Sequence, residues 1–360
     1  MSLIESYDTL YNVELIQASS IDPEPIEWLW RDWIAAGKLH ILAGPPGTGK
    51  TTIAMALAAT ISAGGTWPDG TLANDGKVLI WSGEDDPRDT LVPRLIALGA
   101  SMDHIFFVGN VMDPEGPKPF DPATDAGGLM KAGIKIGNVK LLIVDPIVSA
   151  ISGDSHKNSE VRRSLQPLVS IASAMGCAVI GISHFTKGTS GKDPVERVNG
   201  SIAFGALARL VFAAAKMPES DKGDGSRIFC RSKSNIGPDG GGFRYDLEQT
   251  ELEDHPGVFA SRLVWGKAES GSARELLDRA ENSPSPKDDK EKVDRTVQQQ
   301  WLLDLLSNGP KSAEDCFTQG KEAGFTQKQI RNARAALGVK PNKTGYQGAW
   351  FWSLPEGTFK

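Results

Sequence analysis

The chain has 360 residues, 40% of them apolar and 23% charged, which is enough for two domains and too apolar for disorder over most of its length. A net charge of −6 excludes a protein that coats nucleic acid over its whole surface but leaves room for a local basic patch. Three scattered cysteines, Cys177, Cys230 and Cys316, argue against a disulfide framework or zinc site and for a reducing, cytoplasmic compartment. The apolar, charge-free stretch 53–63 falls far short of the ~20 residues that cross a bilayer, so neither a membrane span nor a secretion signal is expected.

Residues 1–25 show no sustained periodicity and read as an N-terminal arm, ending at Asp22-Pro-Glu-Pro25 before the aromatic group Trp28, Trp30 and Trp33. From residue 26 to 267 the pattern is that of an α/β core. β-rich runs at 39–42, 78–81, 105–108, 141–144 and 178–182 alternate with helix-like stretches at 51–63, 89–98 and 159–175, which predicts a largely parallel sheet. After Gly200 the runs at 209–215, 227–232, 243–247 and 258–265 are separated by turns such as Gly237-Pro-Asp-Gly240, and they read as antiparallel additions.

Residues 268–293 include the polar, proline-punctuated run Asn282-Ser-Pro-Ser-Pro-Lys-Asp-Asp-Lys-Glu291 and read as a linker, with room for a short helix at its start. In 294–360, helical spacing at 295–306, 312–323 and 326–337 is followed by two strand-like pieces, which predicts a C-terminal winged-helix-like domain. From residue 291 onward there are ten Lys and Arg against seven Asp and Glu, so this part carries +3 and the rest −9. Gln327, Lys328, Arg331, Asn332 and Arg334 share one helix, with Lys340, Asn342 and Lys343 beyond it. That set suits phosphate and base contacts, although winged helices also serve as protein-docking modules.

The strongest chemical signal is Gly44-Pro45-Pro46-Gly47-Thr48-Gly49-Lys50-Thr51, followed by Thr52. It fits G-x-x-x-x-G-K-[ST] between a strand and a helix, so its backbone N–H groups can converge on phosphates. Lys50 supplies a point charge to the β- and γ-phosphates, and the Thr51 hydroxyl is a ligand for Mg²⁺. The run Lys140-Leu-Leu-Ile-Val-Asp145 ends an apolar strand in a carboxylate, which suits the second side of a Mg–ATP site. Glu84 comes first after the strand 78–81 and is the residue expected to orient the attacking water, with Asp85 and Asp86 better suited to helix capping. Ser183-His184 stands at the end of another strand, where His184 serves either as a γ-phosphate sensor or as a structural histidine. The polar loop 186–199 carries Lys187, Lys192 and Arg197 and is either a DNA-facing loop or a solvated connector.

Taken in order, the phosphate loop, Glu84, Asp145, Ser183-His184 and Asn199-Gly-Ser-Ile202 resemble the RecA-like P-loop ATPase core over residues 26–266. The nearest branch is that of hexameric helicases such as plasmid RepA and its phage AAA-type relatives. The resemblance implies that Glu84 activates water, that Arg94 lies near the phosphates, and that a neighbouring subunit completes the site. Arg209 and Lys233 are the residues it offers for that role. Asn235 stands where DnaB-type relatives have the arginine of a Lys-x-Arg pair, which leaves the role mainly to Arg209. The implied protein is a hexameric motor on single-stranded DNA, with ATP and Mg²⁺ at its subunit interfaces and a primase or loader among its partners. Its rival is an ATP-switched DNA-binding or recombination-mediator protein that unwinds nothing. A small-molecule kinase is disfavoured, since Glu84 suits water activation and a winged helix has no role there.

Overall fold

The computed structural model describes residues 14–155, 157–186, 188–189, 191–198, 202–217, 226–282, 298–307, 309–343 and 350–354. The chain divides into two compact units, 1–281 and 282–360.

The first unit is built on one nine-stranded sheet. Its strands are β1 (Leu39–Gly44), β2 (Lys77–Ser82), β3 (Ile105–Phe107), β4 (Val139–Asp145), β5 (Ala178–His184), β6 (Leu210–Lys216), β7 (Arg227–Ser234), β8 (Gly242–Leu252) and β9 (His255–Glu269). The spatial order is β9-β8-β7-β6-β1-β5-β4-β2-β3. From β6 to β3 all neighbours are parallel, whereas β7, β8 and β9 join antiparallel beyond β6. The parallel strands are apolar throughout because both faces are covered. Leu42, Ile80, Ile143 and Ile182 point to one face with Ile53 and Leu57 of helix α1 (Lys50–Ala63). Ile41, Leu79, Leu142 and Val179 point to the other. There they meet Leu129 of α2 (Ala126–Ile136) and Leu165 and Leu168 of α3 (Asn158–Met175). The period of two along each strand sorts the side chains between these layers.

Helix α1 buries eleven of its fourteen residues, so it carries no polar face and lies inside the unit. Strand β9 packs against it from the antiparallel side. The tryptophan-rich approach to β1 packs into the core. Trp30 is fully buried, its ring stacked between Trp33 at 4.8 Å and Trp67 at 5.0 Å and close to Phe243 at 5.5 Å. Its indole N–H donates to Asp69 Oδ2 at 2.8 Å, so the polar end of the ring is satisfied.

Residues 273–282, at the start of the span expected as linker, form the short helix Ala273–Asn282 for which the sequence leaves room, but its Leu276 and Leu277 are buried in the first unit, so up to Glu281 it belongs to that unit and not to a connector. Helix α2 carries little sequence signal, because Ala-Gly-Gly-Leu-Met-Lys-Ala-Gly has three glycines, which disfavour helix. Gly133 faces α3: a Cβ there would lie 2.3 Å from Met175 Cε, so any side chain would have to displace the end of Met175.

In the second unit the described elements are a helix at 298–306, then Lys311–Ser312, Ala313–Glu322, Gln327–Ala336, Lys340–Lys343 and Trp350–Ser353. The last strand lies between the other two, antiparallel to both. Thr326 and Gln329 form a reciprocal capping box that starts the helix Gln327–Ala336. Leu302, Leu306, Cys316, Ile330 and Trp352 form the core.

His40 gives the first unit a pH-sensitive core. It is fully buried on β1, with Nε2 accepting the Ala35 N–H at 3.0 Å and Nδ1 3.1 Å from Lys38 O. The proton therefore sits on Nδ1 and the ring is neutral, burial having driven its pKa from 6.5 down to about 4. Between those values the unfolded chain binds a proton that the folded chain refuses. Stability is thus intact above pH 6.5, falls as the pH drops, and is lowered in full below about pH 4, by about 3 kcal/mol from this group. Urea midpoints measured from pH 7 down to pH 4 should show this loss, and His40→Gln should remove that component of the slope.

Candidate nucleotide site

Gly44 ends β1, and the chain then turns through Pro45, Pro46, Gly47 and Thr48 into α1. Gly49 makes the last step at φ +85°, a conformation that a side chain would strain, and a Cβ there would also meet Leu247 Cδ1 at 2.6 Å. The loop is held from inside by Thr48 Oγ1, which donates to Pro45 O at 3.0 Å. From outside, the Tyr245 hydroxyl of β8 donates to Thr48 O at 2.7 Å.

Lys50 is buried and its ammonium has three neighbours: Gly44 O at 3.1 Å, Pro45 O at 3.1 Å and His184 Nδ1 at 3.2 Å. An ammonium only donates, so Nδ1 of His184 accepts and Nε2 carries the imidazole proton. Burial first, and then the Lys50 charge, lowers the His184 pKa and keeps the ring neutral, with one N–H free to donate to an oxyanion. Burial also lowers the Lys50 pKa to about 8 against the attraction of Asp145 and Glu84.

The Thr51 hydroxyl donates to Asp145 Oδ2 at 2.7 Å, joining the start of α1 to the end of β4. Burial raises the Asp145 pKa to about 6, with the Thr51 hydrogen bond and Lys50 opposing, and Glu84 and Asp85 adding to the rise. Glu84 lies beyond β2 on the wall of the same cleft, beside Asp85, whose carboxylate pairs with Arg94 at 2.9 Å. Asp85 is therefore held by an arginine and does not cap a helix. Capping falls to Asp86, which accepts the Arg88 N–H at 2.7 Å.

Thus Pro46, Gly47, Gly49, Lys50, Thr51, Thr52, Glu84, Arg94, Asp145 and His184, dispersed over some 140 residues of sequence, line one cleft at the carboxyl ends of the parallel strands. Arg209 and Lys233 do not line it. Arg209 is exposed, and its N–H donates to Leu39 O. The Lys233 ammonium is taken by the carbonyls of Gly205 at 2.6 Å and Ala208 at 3.4 Å, at the end of the helix Ile202–Leu207. Burial, and then the nearby Arg209 charge, lowers the Lys233 pKa.

Of the three cations expected to face a partner from the loop 186–199, one is placed elsewhere. Arg197 is buried and paired with Glu281, so it is not presented to a partner. Lys192 is exposed, and Lys187 lies outside the described residues. In the second unit, Arg334 lies over the Trp352 ring at 5.1 Å and serves packing, whereas Gln327, Lys328, Arg331 and Asn332 are exposed.

Sequence reasoning missed Tyr245 and Leu247, which brace the loop from about 200 residues away, and Lys216, whose Nζ would lie 3.5 Å from a Cβ at Gly47. No local motif marks any of them. Tyr245→Phe should lower stability by about 1 kcal/mol and weaken nucleotide binding by up to roughly tenfold, since it removes the one bond holding the Thr48 carbonyl from β8. Paired urea unfolding and nucleotide titration check this.

Among the described residues no group of three or more His, Cys, Asp or Glu could hold a metal ion. The hydroxyl–carboxylate pair of Thr51 and Asp145 nevertheless fits Mg²⁺, which takes one or two protein ligands and completes its shell with phosphate and water. No helix is long and apolar enough to cross a membrane among the described residues.

Residues 9–190 match the model of an AAA domain family. The replication factor C large subunit of Archaeoglobus fulgidus is 26% identical over 183 residues, which is 48% of this chain and 30% of that protein. The chain thus spans under a third of that relative's length. The family match takes in half of the chain and runs without a break through β1, the phosphate loop, Glu84, Asp145 and His184, and so the chain belongs to the AAA-domain family of P-loop ATPases.

Proposed function

We propose that this protein is an ATP-driven motor of the RecA-like, hexameric helicase kind that acts on single-stranded DNA in replication. The observation that carries this reading is the cleft itself. It gathers a lysine, a hydroxyl–carboxylate pair, a water-orienting glutamate and a neutral histidine, yet its lining arginine, Arg94, is tied to Asp85. Such a site is suited to completion by a cation from a neighbouring copy, and exposed Arg209 is the residue we assign to that role. The replication factor found among the relatives fits a nucleotide-driven role in DNA replication.

In the proposed reaction Lys50 gives up its carbonyl and His184 partners and binds the β- and γ-phosphate oxygens of ATP. The Nε2–H of His184 is then available to the γ-phosphate. Thr51 and Asp145 would hold Mg²⁺, which would supply charge neutralisation at the phosphates. Glu84 orients the attacking water, and Arg94 holds Asp85 clear of it.

The second unit supports a winged-helix reading through its order of elements and its three-stranded sheet, and Lys328 and Arg331 are then its DNA contacts. The burial of Arg197 favours the rival reading, an ATP-switched DNA-binding protein, because it removes one cation from the loop and leaves these residues as the better DNA-facing set.

Lys50→Ala should abolish hydrolysis, and Glu84→Gln should bind ATP but turn over at least about a hundredfold slower. Arg209→Ala should be inactive alone and regain partial activity when mixed with Lys50→Ala, as measured by steady-state ATPase assays. Lys328→Ala with Arg331→Ala should lower the salt slope of single-stranded DNA binding by roughly 0.7 for each lost contact. A forked-duplex assay separates the motor from its rival: ATP-dependent strand separation supports the motor, and binding without separation supports the switch.

A further inference from the structure

Arg197 is a charge in an unfavourable place. It is buried, its guanidinium carbon stands 4.3 Å from the centroid of the Phe185 ring, and it pairs with Glu281. Its Nε meets no hydrogen-bond acceptor among the described residues. A desolvated ion pair with an orphaned donor is a poor device for stability, since an apolar pair of similar volume generally does as well or better. Its value lies in what it holds still.

Phe185 directly follows His184, and its N–H donates to Gly44 O at 3.3 Å. It bridges Val198, and the Thr186 N–H donates to Arg197 O at 2.8 Å. The two residues after His184 are therefore bonded to the two residues 197 and 198. Glu281 anchors this arrangement to the helix Ala273–Asn282, itself fixed in the core by Leu276 and Leu277. Glu281 is also the last residue of the first unit.

We propose that Arg197 and Glu281 are positioning residues for His184: their ion pair holds the guanidinium on Phe185 and so fixes the imidazole at its place in the cleft. This rests on the reading of His184 as a phosphate contact in an ATP-hydrolysing site. The pair acts on the reaction through His184 alone, so its effect disappears when the imidazole is absent.

The test is a double-mutant cycle on ATP hydrolysis with the full chain. Arg197→Met should lower kcat about tenfold with KM for ATP within about twofold, a loss of the size expected from a small displacement of a positioned group. In a His184→Ala background the same substitution should lower kcat no further. Glu281→Gln should show the same pattern, and it keeps the cycle decisive if Arg197→Met does not fold. Arg197→Lys should recover part of the lost kcat. Equal losses with and without His184 overturn the inference, as does an unchanged kcat in the single variants. Wild-type protein that hydrolyses no ATP overturns the ATPase reading and this inference together, whereas hydrolysis with additive losses overturns this inference alone.

Discussion

A buried ammonium has three hydrogens to place in a setting that solvates charge poorly. Lys50 places them on carbonyl oxygens of Gly44 and Pro45 and on the His184 ring, that is, on β1, the loop that follows it, and β5. The arrangement is available because β5 pairs with β1 on one side and β4 on the other, so three strand ends arrive together. Thr51 and Asp145 then close the same gap one residue along. Every other feature of the cleft follows from that sheet order. It also leaves the site under electrostatic tension, with Lys50 and Asp145 both pushed toward neutrality by burial, and an incoming polyphosphate would relieve the tension on the lysine.

Much of the site was legible because its parts are contiguous. The phosphate loop is eight consecutive residues, and Asp145 and Glu84 follow apolar runs that can hardly be anything but strands. What lay hidden depends on distance in the chain or on packing. Tyr245 and Leu247 look like ordinary strand residues until β8 is folded over the loop. Arg197 sits in a polar stretch and reads as solvent-facing, because nothing local announces that Glu281, 84 residues further on, will neutralise it. Helix α2 is obscured in the sequence by three glycines, of which Gly133 lies against Met175 of α3 while Gly127 and Gly128 face open space.

Charge divides the two units as well. The acidic bulk of the chain holds the cleft, and the excess of Lys and Arg after residue 291 belongs to the smaller unit. That unit is small enough that its few buried side chains, Leu302, Leu306, Cys316, Ile330 and Trp352 among them, must carry its stability. Its basic side chains are not all equivalent: Arg334 lies over Trp352 and Arg331 over Phe317, the latter while remaining exposed.

The tryptophans that wall the first unit have an optical consequence. Indole rings 4.8 Å and 5.0 Å apart, with interplanar angles of 16° and 3°, are close enough for their electronic transitions to couple. Coupling of Trp30 to Trp33 on one side and Trp67 on the other should give a near-ultraviolet circular dichroism signal unlike that of isolated tryptophans. Because Phe229, Phe243 and Trp265 of the antiparallel strands close around the same rings, that signal reports whether the sheet extension is seated against the core, with no added label.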